Sequence, residues 1–136
     1  MILTWLIFSL AQANTQTLKL CFKNLKEQNA IIQIAIHNSP ETFLKEDKTP
    51  YRIQSFVYHP DEPCTDLEVP PGRYAIAFFH DENDNQKLDE NFLGIPNEAF
   101  GFSKNPKITF GPPTFNDVVF ETEDALNLEL IFKRLL

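Results

Sequence analysis

Apolar and polar residues alternate with a period of two in several segments of this chain. Leu18, Leu20 and Phe22 alternate with more polar neighbours, and the same pattern returns near the C-terminus in residues 126–132. Because successive side chains of a β-strand point to opposite faces, this pattern predicts strands that turn one face to a core and the other to solvent. It therefore indicates an all-β chain.

Two further segments, residues 30–37 and 74–79, are nearly continuous apolar runs. They are short and rich in β-branched or aromatic residues, so we predict central strands that are covered on both faces. Residues 51–58, 64–69 and 118–120 supply further strands. About seven strands with no convincing helix favour a single-domain, seven-stranded antiparallel β-sandwich.

Residues 70–73, Pro-Pro-Gly-Arg, separate two of the predicted strands. Proline fixes φ at the first position of a tight turn, and glycine supplies the positive φ of the second, so this segment predicts a hairpin. Alternation along the preceding strand places Leu67 and Val69 on one face and Cys64 on the other.

Residues 1–13 are predicted to form a signal peptide. Residues 2–10 are mostly apolar, and Ala11-Gln12-Ala13 is the small-x-small pattern at which signal peptidase cuts. The run is too short to span a bilayer. We therefore expect a mature domain over residues 14–136, a periplasmic or secreted location, and no transmembrane segment after cleavage. The first charge is Lys19, and the alternative is an amphipathic first strand or a buried helix.

The two cysteines, Cys21 and Cys64, are predicted to form a disulfide. An exported chain folds in an oxidising compartment, where an even number of cysteines favours pairing. Alternation puts both on outward faces, one between lysines and one beside acidic residues, and opposite charges favour neighbouring strands. The bond would close a loop of about 43 residues and stabilise the fold by roughly 3–4 kcal/mol. The alternative is two separate thiols that pack as small hydrophobic side chains.

The overall charge excludes one class of partner. The chain has 12 basic and 19 acidic residues, a net charge of −7, and no cluster of lysine or arginine. Binding to a nucleic-acid backbone needs a basic surface that releases counterions. We therefore expect no nucleic-acid partner.

Residues 81–117 lack regular alternation, although loops longer than about 12–15 residues are uncommon in compact domains. The segment is rich in phenylalanine, so we predict an ordered excursion that folds over the strands. Its aromatic residues favour a second core that lets the long loop pack on itself, because phenylalanine lacks the polar group that exposed aromatic binding residues usually carry. The alternative is a surface for a small ligand, a glycan or a surface protein. The candidate binding residues are Phe92, Phe100, Phe102 and Phe115.

The excursion begins with an acidic loop, residues 81–90, in which five acidic residues stand against one lysine. Oxygen donors recur at relative positions 1, 3, 5, 7 and 9, the spacing with which calcium loops surround a cation. Gln86 replaces the usual glycine of position 6, and Phe92 replaces the usual acid of position 12, for which Glu90 or Glu98 could substitute. The alternative is an acidic loop without a cation. The predicted Ca²⁺ ligands are Asp81, Asn83, Asn85, the Lys87 carbonyl and Asp89.

The residues leave three classes of function open. The first is a non-enzymatic exported binding module. The second is a small hydrolase with His80 as base, oriented by Asp81 or Glu98, although no serine or cysteine nucleophile motif accompanies it. The third is a structural component of a cell-surface assembly, which would associate through an exposed strand edge.

Five strings follow one another along the chain: L-E-V-P-P-G-R-Y-A-I-A, F-H-D-E-N-D-N-Q-K-L-D, N-F-L-G-I-P-N-E, F-G-F-S-K-N and F-G-P-P-T-F-N-D. Together they resemble the bacterial exported proteins known as domain of unknown function 2141. Members typically carry H-D-x-N-x-N-G-K-L-D, so Gln86 stands here at the glycine of the pattern. Asp84 occupies a second position at which members usually have glycine. The resemblance implies an exported β-sandwich of immunoglobulin-like or prealbumin-like type, and it supplies no catalytic residue.

Overall fold

The chain folds into strands with very little helix. The computed structural model describes residues 14–90 and 94–135, so the predicted signal peptide and Phe92 lie outside the described residues. A helix, α1 (Phe115–Val118), precedes β7, and a 3-10 turn (Thr122–Asp124) follows it. Neither of these described helical segments is long or apolar enough to cross a membrane. The strands are β1 (Gln16–Lys23), β2 (Ala30–His37), β3 (Arg52–Tyr58), β4 (Cys64–Val69), β5 (Arg73–His80), β6 (Phe100–Phe102), β7 (Phe120–Glu121) and β8 (Asn127–Ile131).

The strands form two sheets. The smaller sheet has the order β4-β1-β8, and the larger has the order β3-β2-β5-β6, with β7 also paired to β5. The predicted all-β class is confirmed, but two details of the prediction differ. The described residues hold eight strands rather than seven, because β6, with three residues, is too short to show alternation. The prediction of purely antiparallel strands is wrong at β1 and β8, which pair in parallel, because alternation carries no information on strand direction.

The predicted strand positions hold best where the sequence pattern is strongest. The bounds of β2 and β4 are the predicted ones, 30–37 and 64–69. The strand predicted over residues 118–120 is wrong in its first part, because Val118 ends α1 and the strand begins at Phe120. Three apolar residues in a row suit a short buried helix end as well as a strand.

The hairpin predicted at residues 70–73 is wrong. β4 lies in the smaller sheet and β5 in the larger, so this segment crosses from one sheet to the other. Positive φ occurs at Gly94 and Gly111 but not at Gly72. The crossing is fixed by bonds outside the turn, because the Gly72 amide and carbonyl pair with Thr122 at 3.0 Å each.

The main core lies between the two sheets. Its centre is Phe22, whose ring lies 5.2 Å from that of Phe78, 5.8 Å from that of Phe132 and 5.9 Å from that of Phe56. Burying one large apolar side chain contributes about 1.5–3 kcal/mol, so these inward faces are the main source of stability. As alternation predicts, Leu67 and Val69 belong to this core.

Cys21 and Cys64 form the predicted disulfide. They occupy directly opposed positions on the antiparallel strands β1 and β4, and Lys19 stands opposite Asp66 on the same pair. The two strands therefore meet with the complementary charges that the sequence pattern predicts. The bond ties β4, an outer strand of the smaller sheet, to the central strand β1.

The excursion covers the outer face of the larger sheet. A second hydrophobic cluster forms there around Phe43, Ala75 and Val118, and β6 contributes to it as it pairs with β5. At the start of β6, the backbone of Phe100 also exchanges hydrogen bonds with that of Lys133, at 2.9 and 2.7 Å. The long segment is thus ordered because its apolar residues pack on the sheet that precedes it.

Buried His37 makes the stability of the fold depend on pH. Its Nδ1 lies 3.2 Å from the Thr42 hydroxyl, and its ring packs edge-on against Phe43. Burial lowers the pKa of His37. The unfolded chain therefore takes up the proton first, so the free energy of unfolding falls as the pH drops below the unfolded pKa of about 6.5 and is retained above it.

The measurement is denaturant unfolding between about pH 8 and about pH 5, a range that brackets the ordinary pKa of histidine. A single proton limits the slope to about 1.4 kcal/mol per pH unit. His37→Gln should flatten this dependence, and His59→Gln, at a half-buried position, should leave it unchanged. An equal slope in the wild type and in His37→Gln would contradict the prediction.

Candidate functional site

The acidic loop begins where β5 ends. β5 runs to His80, and the next residue, Asp81, is 2% exposed although it opens the most acidic segment of the chain. Its backbone amide bonds the Ile31 carbonyl at 2.8 Å, so the loop starts from a fixed point on the larger sheet.

The Asp81 carboxylate is the inner support of the loop. Its Oδ1 accepts the Asn85 amide at 3.2 Å, and its Oδ2 accepts the Gln86 amide at 2.8 Å. Gln33, from β2, donates a third hydrogen bond to Oδ2 at 3.1 Å. The Asp81 carboxylate, at position 1 of the loop, therefore holds the loop backbone in its turn through the amides of Asn85 and Gln86.

Glu98 is a second buried carboxylate that supports the loop. It is 2% exposed, and it accepts the Glu82 amide at 2.7 Å and the Asp89 amide at 2.8 Å, one on each oxygen. It therefore holds both ends of the loop together. Sequence reasoning named Glu98 only as a substitute ligand or as a partner of His80. The pattern that could have revealed it is a lone acid directly before the apolar segment 99–102.

Three of the predicted ligand side chains meet at the outer side of the loop. The Asn83 amide donates to Asp89 Oδ2 at 2.7 Å, and the Asn85 amide donates to Asp89 Oδ1 at 2.8 Å. The fourth predicted side chain, Asp81, reaches the same turn through the Asn85 backbone. The Lys87 backbone amide donates to the Asn85 side-chain oxygen at 3.0 Å. The spacing thus brings together the residues that it singles out.

The loop makes its sharp turns without glycine. Asp84 and Gln86 have φ values of 52° and 63°, in the left-handed region that favours glycine. A left-handed backbone costs a residue with a side chain about 1–2 kcal/mol. The hydrogen bonds of the Asp81 carboxylate to the amides of Asn85 and Gln86 offset part of this cost. The loop therefore keeps its turn although neither of these two positions is glycine.

The chemistry of the donors suits a hard cation. Within residues 14–90 and 94–135, no group of three or more His, Cys, Asp or Glu side chains is placed to hold a metal ion. A cation in this loop would therefore depend on asparagine and main-chain oxygens as well as on carboxylates. Ca²⁺ accepts such mixed oxygen ligands, whereas Zn²⁺ sites rely on cysteine, histidine and carboxylate.

His80 lies beside the loop and borders a cleft of about 380 Å³. Its residue surface is 7% exposed, and its Nδ1 has no hydrogen-bond partner among the described residues. Nδ1 lies 3.9 Å from Glu82 Oε1, which also pairs with Arg134 Nη2 at 2.5 Å. Among the described residues that line the cleft there is no serine, threonine or cysteine, so a hydroxyl or thiol nucleophile is not placed there.

Three of the four candidate aromatic residues lie inside the molecule rather than on an open surface, and the fourth, Phe92, lies outside the described residues. Phe100, Phe102 and Phe115 are between 5% and 8% exposed, and they belong to the second cluster. Phe110 is the fully exposed aromatic side chain of the excursion. The first three side chains are buried because they pack against β5. The positions of aromatic residues in the sequence do not reveal that contact.

A family model described as "uncharacterized protein conserved in bacteria (DUF2141)" matches residues 20–128. The matched segment contains the whole acidic loop, Glu98, the strands β2 to β7 and part of β1 and β8. No curated protein and no solved structure matches the chain. Because the match covers most of the sequence, the chain belongs to this uncharacterised family of conserved bacterial proteins.

Proposed function

We propose that this protein is an exported, non-enzymatic binding module of the β-sandwich class, and that its acidic loop binds Ca²⁺. One observation carries the proposal. The side chains of Asn83, Asn85 and Asp89 converge in the loop that buried Asp81 supports.

The converging amides can serve a cation with little rearrangement. An asparagine side chain offers donor hydrogens on nitrogen and lone pairs on oxygen. Without a cation, the nitrogens of Asn83 and Asn85 donate to Asp89. A half-turn of each amide would direct its oxygen to the position that the hydrogens now occupy, so the three side chains would present oxygen only. At Asn85 this half-turn gives up the hydrogen bond that its oxygen accepts from the Lys87 amide.

The charge of the loop supports the same proposal. Five acidic residues and one lysine crowd into residues 81–90, and a divalent cation would relieve their mutual repulsion. Calcium modules outside the cytosol bind weakly, with Kd about 10⁻⁴–10⁻³ M, a range that suits a loop with few carboxylate ligands. The disulfide fits an oxidising compartment outside the cytosol. The partner in the proposal is a small ligand, a glycan or a surface protein.

Calcium should raise the Tm of the wild-type protein. A ligand that binds only the folded state adds RT ln(1 + [L]/Kd) of stability, so calcium at about 1–10 times its Kd should add about 0.4–1.4 kcal/mol. The measurement is a thermal melt in millimolar calcium against the same melt in chelator. Asp89→Asn should lose the shift, because it removes the carboxylate on which the amides converge.

Asp61→Asn is the matched control, because Asp61 is an exposed acid in a turn outside the loop. This variant makes the same change of charge and should keep the full calcium shift. A wild-type Tm that does not change in millimolar calcium would remove the cation from the proposed function.

A further inference from the structure

A chain of hydrogen bonds leaves the acidic loop and runs into the larger sheet. Gln33 Nε2 donates to Asp81 Oδ2 at 3.1 Å, and the Ser55 hydroxyl donates to Gln33 Oε1 at 2.6 Å. Gln33 stands opposite Ser55 on β3 and opposite Phe79 on β5. The loop is therefore linked to the outer strand β3, which is far from it in sequence.

Gln33 is a polar exception in an apolar strand. β2 reads A-I-I-Q-I-A-I-H, and Gln33 is 8% exposed. A buried amide without partners costs about 1–3 kcal/mol, so such a residue is stable here only because both ends of its amide are bonded. Carboxylate oxygens accept and cannot donate, so the Gln33 nitrogen must face Asp81 and its oxygen must face Ser55.

The Gln33 bond decides which oxygen of Asp81 remains available. Each carboxylate oxygen has about two lone-pair positions. Oδ2 accepts two donors, Gln33 Nε2 and the Gln86 amide, and so both of its positions are used. Oδ1 accepts the Asn85 amide alone among the bonds described and keeps one position. Oδ1 is thus the oxygen bonded to Asn85, the residue whose side chain also meets Asp89.

We propose that Gln33 is a positioning residue for cation binding by Asp81, and that Ser55 holds the oxygen end of the Gln33 amide in place. This inference rests on the proposed function, because it names the buried support of the same site. Gln33 does not contact the cation. It acts by saturating one oxygen of Asp81 and thereby directing the other towards the loop.

The first test is the calcium affinity of Gln33→Met, which keeps the length and bulk of the side chain and removes its donor. Partners that orient a metal ligand typically change metal affinity about 10–100-fold when they are lost, so we expect a loss of at least about tenfold, measured by calorimetric titration with calcium chloride. Ile34→Val is the control, because it trims the next buried residue of β2 and costs about 0.5–1.5 kcal/mol of stability. It should lower the Tm and leave the calcium affinity unchanged.

The second test asks whether Ser55 affects calcium binding through Gln33. Ser55→Ala should weaken calcium binding less than Gln33→Met does, because the amide can still reach Asp81. In the Gln33→Met background, Ser55→Ala should have no further effect on calcium affinity, because Ser55 acts through Gln33. A full Ser55→Ala effect in that background, or an unchanged affinity in Gln33→Met, would overturn the inference.

A third measurement does not depend on calcium. Hydrogen exchange of the Asn85 and Gln86 amides, both held by Asp81, should accelerate in Gln33→Met and stay slow in Ile34→Val, in chelator throughout. If the wild type fails to bind calcium and this difference appears, the proposed function is wrong while Gln33 still positions Asp81. If exchange at both amides is unchanged in Gln33→Met, Gln33 does not position Asp81.

Discussion

Replacing both cysteines, Cys21→Ala with Cys64→Ala, should lower the free energy of unfolding by about 3–4 kcal/mol. The bond joins residues 43 apart in sequence and so restricts the unfolded chain strongly. β4 is an outer strand whose pairing in the smaller sheet is with β1 alone. Without the disulfide, β4 is held to the rest of the protein by its hydrogen bonds and by the core contacts of Leu67 and Val69.

The measurement is denaturant unfolding of the double variant and of the wild type with and without a reducing agent. The reduced wild type should lose a similar amount of stability, which separates loss of the bond from the effect of the alanines. Calcium affinity should be unchanged, because the acidic loop follows β5 in the other sheet. A loss below about 1 kcal/mol in both the variant and the reduced protein would contradict the entropic account of the bond.

Gly101→Ala should destabilise the protein by about 3 kcal/mol, at the upper end of the usual cost of overpacking. A Cβ at this position would lie 2.3 Å from Phe78 Cζ and 2.7 Å from the Ile131 carbonyl oxygen. The Phe78 ring cannot swing away freely, because it packs against Phe22 and Phe132 at 5.2 and 5.0 Å. The Ile131 oxygen belongs to the backbone of β8, so relief of that contact requires a strand to move.

Gly72→Ala is the matched control for this change. A Cβ there would have its nearest neighbour, an atom of the Tyr74 ring, at 3.6 Å, which is ordinary contact. This variant should stay within about 1 kcal/mol of the wild type. Adding Phe78→Leu to Gly101→Ala should recover part of the loss, giving a double variant more stable than the sum of the single changes predicts. Strict additivity of the two changes would contradict the proposed clash with the ring.

The convergence of Asn83, Asn85 and Asp89 could be predicted, but the residues that support the loop could not. Their convergence follows from spacing, because residues 81–89 are local in sequence and a turning loop brings alternate side chains together. Gln33 and Glu98 could not be found in that way. Gln33 precedes Asp81 by 48 positions, and Glu98 follows Glu82 by 16. Their roles depend on β2 lying beside β5 and on the return of the excursion to the same end of the sheet.

The aromatic excursion shows the same division. Its richness in phenylalanine predicts that it is ordered, since so much apolar surface is not left in water. The same composition is compatible with an exposed binding surface as well as with a second core. Phe43, which comes from the segment between β2 and β3, packs against both Phe102 and Phe115. That contact joins distant parts of the chain, and it helps to bury Phe102 and Phe115, two of the candidate binding residues.

By itself, the sequence determined the all-β class, the bounds of β2 and β4, and the outward faces on which Cys21 and Cys64 meet. These features are local, because a period of two fixes which side of a strand is buried wherever that strand lies. Only the tertiary structure decided that β8 runs parallel to β1, that residues 70–73 cross between sheets, and that Gln33 supports Asp81. Each of these depends on which strand lies beside which, and that choice is made by the packing of distant side chains in a shared core.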